Sequence, residues 1–177
     1  HDDLCGYIFK SKSPSCGLGR VPVYAEFGSD SVRHGPGIFA KAFTNKFPLV
    51  PTEDEGRLND SLIRENFIVK VFSFSRLKDL FKNNFSIGEL VRFHTQHKFL
   101  LLAHSRKYYD ELGHLVAKPK SLSKEALKEN YGNTFMKALT FKATPKKNTD
   151  VLLHMIGFFK KVLSTLEKDG VKWTKLL

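Results

Sequence analysis

Hydrophobic residues are spaced differently in the early and the later parts of this chain. Up to about residue 58 they form short runs separated by Ser, Pro and Gly, as strands and turns do. After residue 60 they recur at intervals of three and four, as one face of an α-helix requires. The change in spacing predicts an α/β fragment over residues 1–58, followed by an all-α helical bundle over residues 59–177.

The early part contains three candidate strands and one short helix. Pro22 cannot donate to a strand ladder, so the strand that contains it is expected at a sheet edge. The helix must end by Phe47, because the residue before Pro48 is disfavoured in helical geometry. The predicted elements are strands at 6–10 and 21–24, a loop at 29–37, a helix at 38–43, a last strand at 49–51 and an acidic connector at 52–60.

The later part contains five predicted helices. Ser86 and Glu89 form a capping box, in which each side chain can bond the other residue's backbone N–H. Thr144 followed by Pro145 is an N-cap with proline at the first helical position. The helices are predicted at 63–81, 86–104, 105–116, 123–139 and 145–168, with Gly170 ending the last one.

Charge is concentrated in the helical part. Residues 1–60 carry seven Lys and Arg against eight Asp and Glu, whereas residues 61–177 carry 22 against 10. A positive field confined to one region attracts polyanions, of which nucleic acid is the commonest; general solubility is the alternative. The hydrophobic content of 41% suits a buried core, and no apolar run is long enough for a membrane span.

Cysteine is scarce, which argues against a disulfide scaffold. Cys5 and Cys16 have ten residues between them and match no zinc or thioredoxin-type spacing. A reducing compartment is the default for such a chain, so we expect a cytoplasmic protein. We expect its source to be bacterial. The chain begins with His1 close to a strand, and we expect it to be a piece of a longer protein.

The turn at residues 13–17, Ser-Pro-Ser-Cys-Gly, directly follows the first predicted strand. Sites of α/β sheets lie at this position, and a thiolate beside hydroxyl and turn N–H groups can ligate iron. One cysteine does not make a metal site. The alternative is a tight turn with a small buried cysteine, in which Ser13 is only a cap.

This early part resembles the C-terminal portion of the thiouracil desulfurase family. The resemblance implies that Cys16 is the third cysteine ligand of a 4Fe–4S cluster, which leaves one iron free for sulfur, and that Ser13 belongs to the active site. It also implies that the other two cysteines and an acidic catalytic residue precede this chain, so no cluster is expected in the fragment alone, which should be inactive. The residues that carry the resemblance are 10–18, 20–24, 37–40 and 55–58.

The helix predicted at 86–104 is rich in histidine. On a continuous helix, His94, His97, Lys98 and His104 fall within about 120° of one face. Three interpretations stay open: a metal site without an obvious third ligand, a surface for phosphate or bases, or interior histidines that bond neighbouring helices. The third is slightly favoured, because Leu101 shares that face.

The later part resembles the YbgA-like domain, a family of unknown function. Fused proteins of this order are similar to a tRNA thiouridine desulfidase, which implies that the helical domain holds RNA. The residues that carry the resemblance are 93–98, 101–105, 112–113, 115–117, 143–152, 154, 157 and 159–160. The family's apolar carboxyl-terminal stretch is not found after Trp173, so we expect this domain to be truncated as well.

Basic residues near the helix junctions support an RNA interpretation. Lys146 and Lys147 lie in the first turn of a predicted helix, where free N–H groups favour phosphate. Arg106 and Lys107 lie at another junction, followed by two tyrosines that either stack on bases or pack in the core. The predicted nucleic-acid-binding residues are His94, His97, Lys98, His104, Arg106, Lys107, Lys146 and Lys147.

These observations predict a piece of a desulfidase that acts on thiolated uracil in tRNA or free bases, with the helical domain binding RNA. A first rival is a non-catalytic module that binds nucleic acid or protein. If it binds protein, its positive charge is incidental. A second rival is a desulfidase of small bases whose bundle only stabilises the fold. The salt dependence of RNA binding distinguishes these hypotheses.

Overall fold

Short strands and one helix make up the first part of the chain. The computed structural model describes residues 3–19, 21–24, 31–82, 85–119 and 122–168. One parallel pair joins the first and fourth strands, and one antiparallel pair joins the second and third. The elements are β1 Tyr7–Phe9, β2 Val21–Tyr24, β3 Ser31–Gly35, α1 Ile38–Lys46 and β4 Thr52–Asp54.

A small aromatic core joins β1 to α1. Phe9 is 1% exposed and packs with Ala40 and Phe43, which lie on one face of the helix. The ring of Tyr7 lies 4.7 Å from the rings of both Phe9 and Phe43. This core places the start of α1 over the segment that follows β1, where the predicted chemistry lies.

Six helices form the later part of the described chain, so the predicted order of an α/β fragment and then a helical bundle is confirmed. A short 3-10 turn at Arg57–Asn59 precedes them. None of the described helices combines the length and the apolar character needed to cross a bilayer. The helices are α2 Ser61–Lys82, α3 Ile87–Gln96, α4 Lys98–His104, α5 Arg106–Ala117, α6 Lys124–Ala138 and α7 Pro145–Lys168.

Capping explains where these helices begin. The Ser86 and Ser123 hydroxyls each accept a backbone N–H three residues later, at 3.2 Å. Thr144 accepts the N–H of Lys147 at 3.4 Å, directly before Pro145. Helix α5 begins after Ser105 as predicted, but the Ser105 side chain makes no capping hydrogen bond.

The bundle core is continuous with the first part of the chain. Cys5 and Val50 pack against it, and the ammonium of Lys78 donates to the carbonyl of Leu4 at 3.0 Å. Burial of the Tyr131 phenol at the centre raises its pKa strongly. The largest fully buried side chains of the bundle core are Leu77, Leu90, Leu101, Leu112, Leu127, Tyr131, Phe135 and Leu139.

Two expectations for the first part were wrong. The segment 29–37, predicted as loop, contains β3, because β2 supplies an antiparallel partner for residues 31–35. The last strand is at 52–54 rather than 49–51, since pairing with β1 sets Tyr7 opposite Thr52. The acidic connector therefore includes a strand. The domain boundary at residue 58 stays a prediction.

The helix predicted at 86–104 is two helices, broken at His97. The backbone of His97 has φ −96° and ψ 6°, outside the helical range. The Phe93 carbonyl accepts both the backbone N–H of His97 at 3.1 Å and its ring Nδ1 at 2.8 Å. A side-chain hydrogen bond of His97 to its own helix therefore accompanies the break, and no Gly or Pro marks it in the sequence.

Candidate active-site turn and basic surface

The turn after β1 is held by its own backbone and by Ser13. The Ser13 hydroxyl oxygen accepts the N–H of Cys16 at 3.1 Å, and the Ser13 carbonyl accepts the N–H of Gly17 at 2.8 Å. The Ser13 side chain is therefore a turn cap, as one interpretation predicted. Its own O–H proton is not used in that bond and stays available to donate.

The first turn of α1 rests directly on the same segment. The N–H groups of Phe39 and Ala40 donate to the Ser15 carbonyl at 3.0 and 3.2 Å, and Gly37 donates to Gly17 at 2.7 Å. A Cβ added to Gly37 would lie 2.3 Å from the Ser15 oxygen. The Cys16 segment and the start of α1 therefore touch backbone to backbone, an approach that glycine permits.

An open cavity of about 530 Å³ lies at the carboxyl ends of β1 and β4. Parallel strands place ligand sites at this edge. Two basic groups, a carboxylate and apolar walls meet there, which suits a planar polar ligand. Neither Ser13 nor Cys16 lines it. The lining residues are Ser11, Lys12, Leu18, Gly19, Pro22, Asp54 and Arg57.

Asp54 is the carboxylate of this cavity, and the sequence analysis did not single it out. It accepts hydrogen bonds from the Ser11 hydroxyl and, at 2.8 Å, from the N–H of Gly56. Burial opposes its ionisation, but these donors together with Arg57 outweigh burial and hold its pKa below the ordinary value. Asp54 is therefore charged at neutral pH and can accept an N–H from a ligand.

The residues of this chain do not complete a ligand set for an iron–sulfur cluster. The chain has two cysteines, and the two lie apart, Cys16 against the small aromatic core and Cys5 against the bundle. Within the described ranges, no three His, Cys, Asp or Glu side chains come together as metal ligands would. Cys16, a half-buried free thiol, is one candidate donor.

The histidines of the predicted RNA face do not share one surface. His97 is 5% exposed and His104 is 1% exposed, so neither side chain lies on the outer surface of the bundle. The prediction of one shared face assumed a continuous helix, which the break at His97 interrupts. The His104 ring bonds the Phe141 carbonyl across the fold. Both side chains therefore lie in the interior, and His104 also bonds a distant segment, as the interior interpretation predicted.

His94 occupies an intermediate position between core and surface. Its Nδ1 lies 3.3 Å from the Tyr131 hydroxyl, and its ring stacks on Tyr109 with centroids 5.3 Å apart. Tyr108 is buried and packs against Phe141 at 5.5 Å. The two tyrosines are therefore engaged inside the fold rather than held out for bases.

Basic side chains of α5 and α7 do meet on the surface. Arg106 and Lys147 line the same small cleft, of about 230 Å³, between α4, α5 and α7. The Lys147 ammonium donates to the carbonyls of His104 at 2.9 Å and Lys142 at 3.1 Å, so it also caps α4. Lys146, beside it, is exposed.

Two further lysines extend this surface. Lys107 and Lys137 lie 5.6 and 5.5 Å from the ring of Tyr108, one on α5 and one on α6. Sequence reasoning missed Lys137, because only the packing of α5 on α6 brings it close. Lys98 is half-buried and lies over Phe99. We name the α5–α7 basic surface as Arg106, Lys107, Lys137, Lys146 and Lys147.

The partly and fully buried histidines make stability depend on pH. Burial, above all, lowers the pKa values of His94, His97 and His104 in the fold, whereas in the unfolded chain they lie near ~6.5. Below that pH the unfolded chain takes up protons that the folded chain refuses, so the free energy of unfolding falls with acidification. We expect a lower thermal midpoint by circular dichroism at pH 5.5 than at 7.5.

A His104→Asn variant serves as the control for this pH effect. The amide keeps a donor toward the Phe141 carbonyl but does not titrate, so the difference between the two pH values should shrink. Equal midpoints at pH 5.5 and 7.5 in the unmodified chain would contradict the role of these histidines.

Comparison with known proteins finds family matches in two separate stretches of the chain, which supports the predicted fusion. Residues 1–55 match the family described as 2-thiouracil desulfurase, and residues 98–174 match a family described as a protein of unknown function, DUF1722. The order of the two matches is that of the predicted fusion.

One curated relative is similar to this chain over part of its length. The uncharacterized protein YbgA of Escherichia coli (strain K12) is 26% identical over 109 residues. That match spans 59% of this chain and 63% of the relative's length. No solved structure matches the chain.

Proposed function

We propose that the complete protein is a desulfidase, because this chain joins a segment that matches 2-thiouracil desulfurases to a basic helical segment that matches DUF1722. It removes sulfur from thiolated uracil, in tRNA or as free bases, in the cytoplasm. The helical part holds the RNA through the α5–α7 basic surface. Cys16 is one ligand of a 4Fe–4S cluster whose other ligands lie outside this chain.

The turn that carries Cys16 is the observation on which the proposal rests. It follows a strand of a parallel pair, at the edge where α/β proteins place their sites, and it adjoins the start of α1. Ser13 lies in the same turn with a proton free to donate to a substrate atom or a water. The neighbouring cavity offers Asp54 to an N–H and Lys12 or Arg57 to a carbonyl oxygen, as a uracil-like ring requires.

Removing the Cys16 thiolate tests the cluster assignment in the complete protein. We expect Cys16→Ala to reduce the iron content from about four atoms per chain to near zero, with loss of the visible absorbance. Cys5→Ala is the matched control and should keep both, since Cys5 packs against the bundle. A Cys16→Ala protein that is folded by circular dichroism and retains iron would overturn the ligand assignment.

The salt dependence of tRNA binding tests the helical part. Release of counterions from phosphates makes log K fall steeply with log salt, by roughly 0.7 to 0.9 per contact. We expect measurable tRNA binding at low salt and a slope equivalent to several contacts. Undetectable tRNA binding at low salt would rule out the RNA function.

A protein-interaction module is the second candidate function, and one observation favours it. Helix α7 exposes large apolar side chains that the described residues leave uncovered, whereas an RNA surface is mostly polar and charged. If binding to tRNA is absent, this candidate is preferred. The exposed side chains are Leu152, Leu153, Ile156, Phe158, Phe159 and Val162.

A further inference from the structure

A groove of about 560 Å³ lies between α2, the end of α3 and the start of α4. Its α2 wall carries Ile68 and Phe72, which are large apolar residues exposed to 47% and 61%. Arg76 follows one turn after Phe72 on the same helix face. Apolar surface and a cation therefore border one recess, and no carboxylate of the described chain lies within ion-pair distance of Arg76.

His97 lines this groove with a nitrogen that lacks a partner. The side chain is 95% buried, and its Nε2 makes no hydrogen bond to any described residue. Nδ1 lies 2.8 Å from the Phe93 carbonyl oxygen, which only accepts, so Nδ1 carries the proton. Burial lowers the pKa of the ring and so favours its neutral form, in which Nε2 carries a lone pair without a donor among the described residues.

Shared lining residues connect the groove, through one intermediate cavity, with the cleft on the α5–α7 basic surface. A second cavity of about 450 Å³ shares Val69 and Leu100 with the groove. It also shares Val151 with the cleft of Arg106 and Lys147. The three recesses are therefore neighbours around α4, which places the groove near the α5–α7 basic surface.

We propose that this groove binds one unpaired nucleotide of a bound RNA strand. The base lies against Phe72 and Leu100, one of its N–H groups donates to Nε2 of His97, and its phosphate binds Arg76. Every nucleobase carries such an N–H group and a planar face, so the groove accepts an unpaired base without requiring one sequence.

This inference rests on the proposed RNA-binding function. Substitutions at the groove test the nucleotide site separately from RNA binding as a whole. For single-stranded RNA, we expect Phe72→Ala to weaken binding about tenfold with an unchanged salt slope, because a stacking surface carries no charge. Arg76→Gln should make the slope shallower by about 0.7, the value of one phosphate contact. Phe158→Ala is the control, since Phe158 is exposed to 64% on α7, and it should bind normally.

Photochemical cross-linking locates the base directly. RNA containing 5-bromouridine should cross-link to the tryptic peptide 71–76, which contains Phe72, and the cross-link should be lost in Phe72→Ala. If cross-links appear elsewhere and both Phe72→Ala and Arg76→Gln bind RNA normally, the assignment of the base to this groove is wrong, although the proposed RNA binding is kept. Competition by uridine monophosphate as strong as by RNA would overturn the assignment to a strand. Absence of RNA binding by the unmodified protein would remove both proposals.

Discussion

Reversing three charges on the α5–α7 basic surface should reduce tRNA affinity on the order of 100-fold at low salt. The variant carries Arg106→Glu, Lys107→Glu and Lys146→Glu, all at exposed positions. Each substitution removes a donor for phosphate and adds a repulsive carboxylate. Lys147 is left unchanged, because its ammonium also caps the carbonyl end of α4. Fluorescence anisotropy with labelled tRNA measures the change, and the salt slope should fall together with the affinity.

The control variant for this experiment has the same net charge, but its substitutions lie elsewhere on the protein. It carries Lys41→Glu, Lys46→Glu and Lys160→Glu, three exposed lysines outside the α5–α7 basic surface. Lys160 lies on the same helix as Lys146, about 21 Å along its axis. If the control weakens binding as strongly, the attraction is diffuse, and the positive charge of the bundle serves solubility rather than a site.

Gly37→Ala should destabilise the first part of the chain by about 1–3 kcal/mol. The new Cβ would meet the Ser15 carbonyl oxygen at 2.3 Å and its carbon at 2.4 Å, and backbone cannot yield as a flexible side chain does. Relief requires the Cys16 segment to move away from α1, which breaks the hydrogen bonds from Phe39 and Ala40 to Ser15. Urea unfolding measures the loss, and in a Cys5→Ser background the Cys16 thiol should react faster with a thiol reagent.

A second glycine provides a control of opposite sign. Gly157 lies within α7 with nothing within 4 Å of an added Cβ, so Gly157→Ala should stabilise the helix by up to about 1 kcal/mol. Equal effects of the two substitutions would show that the contact between Gly37 and Ser15 does not hold the turn.

Part of the candidate site was accessible from the sequence because its signals are local. The Ser13–Cys16 turn follows a strand of apolar residues and contains Pro and Gly, so both its position and its cap could be predicted. Gly37, 21 residues after Cys16, carries no such signal, because its importance comes from a backbone contact with Ser15. Asp54 was assigned to a connector, since only pairing of β4 with β1 brings it beside Ser11.

By itself, the sequence determined the order of an α/β segment and a helical bundle, the helix starts at Ser86, Ser123 and Pro145, and the excess of positive charge. These features depend on periodicity, capping and composition, which act over a few residues. The tertiary structure alone decided that the helix breaks at His97 and that His97 and His104 are buried. It also decided that Arg106 meets Lys147. The burial of the histidines and the approach of Arg106 to Lys147 depend on contacts between residues distant in the chain, which leave no pattern in the order of amino acids. No Gly or Pro marks the break at His97.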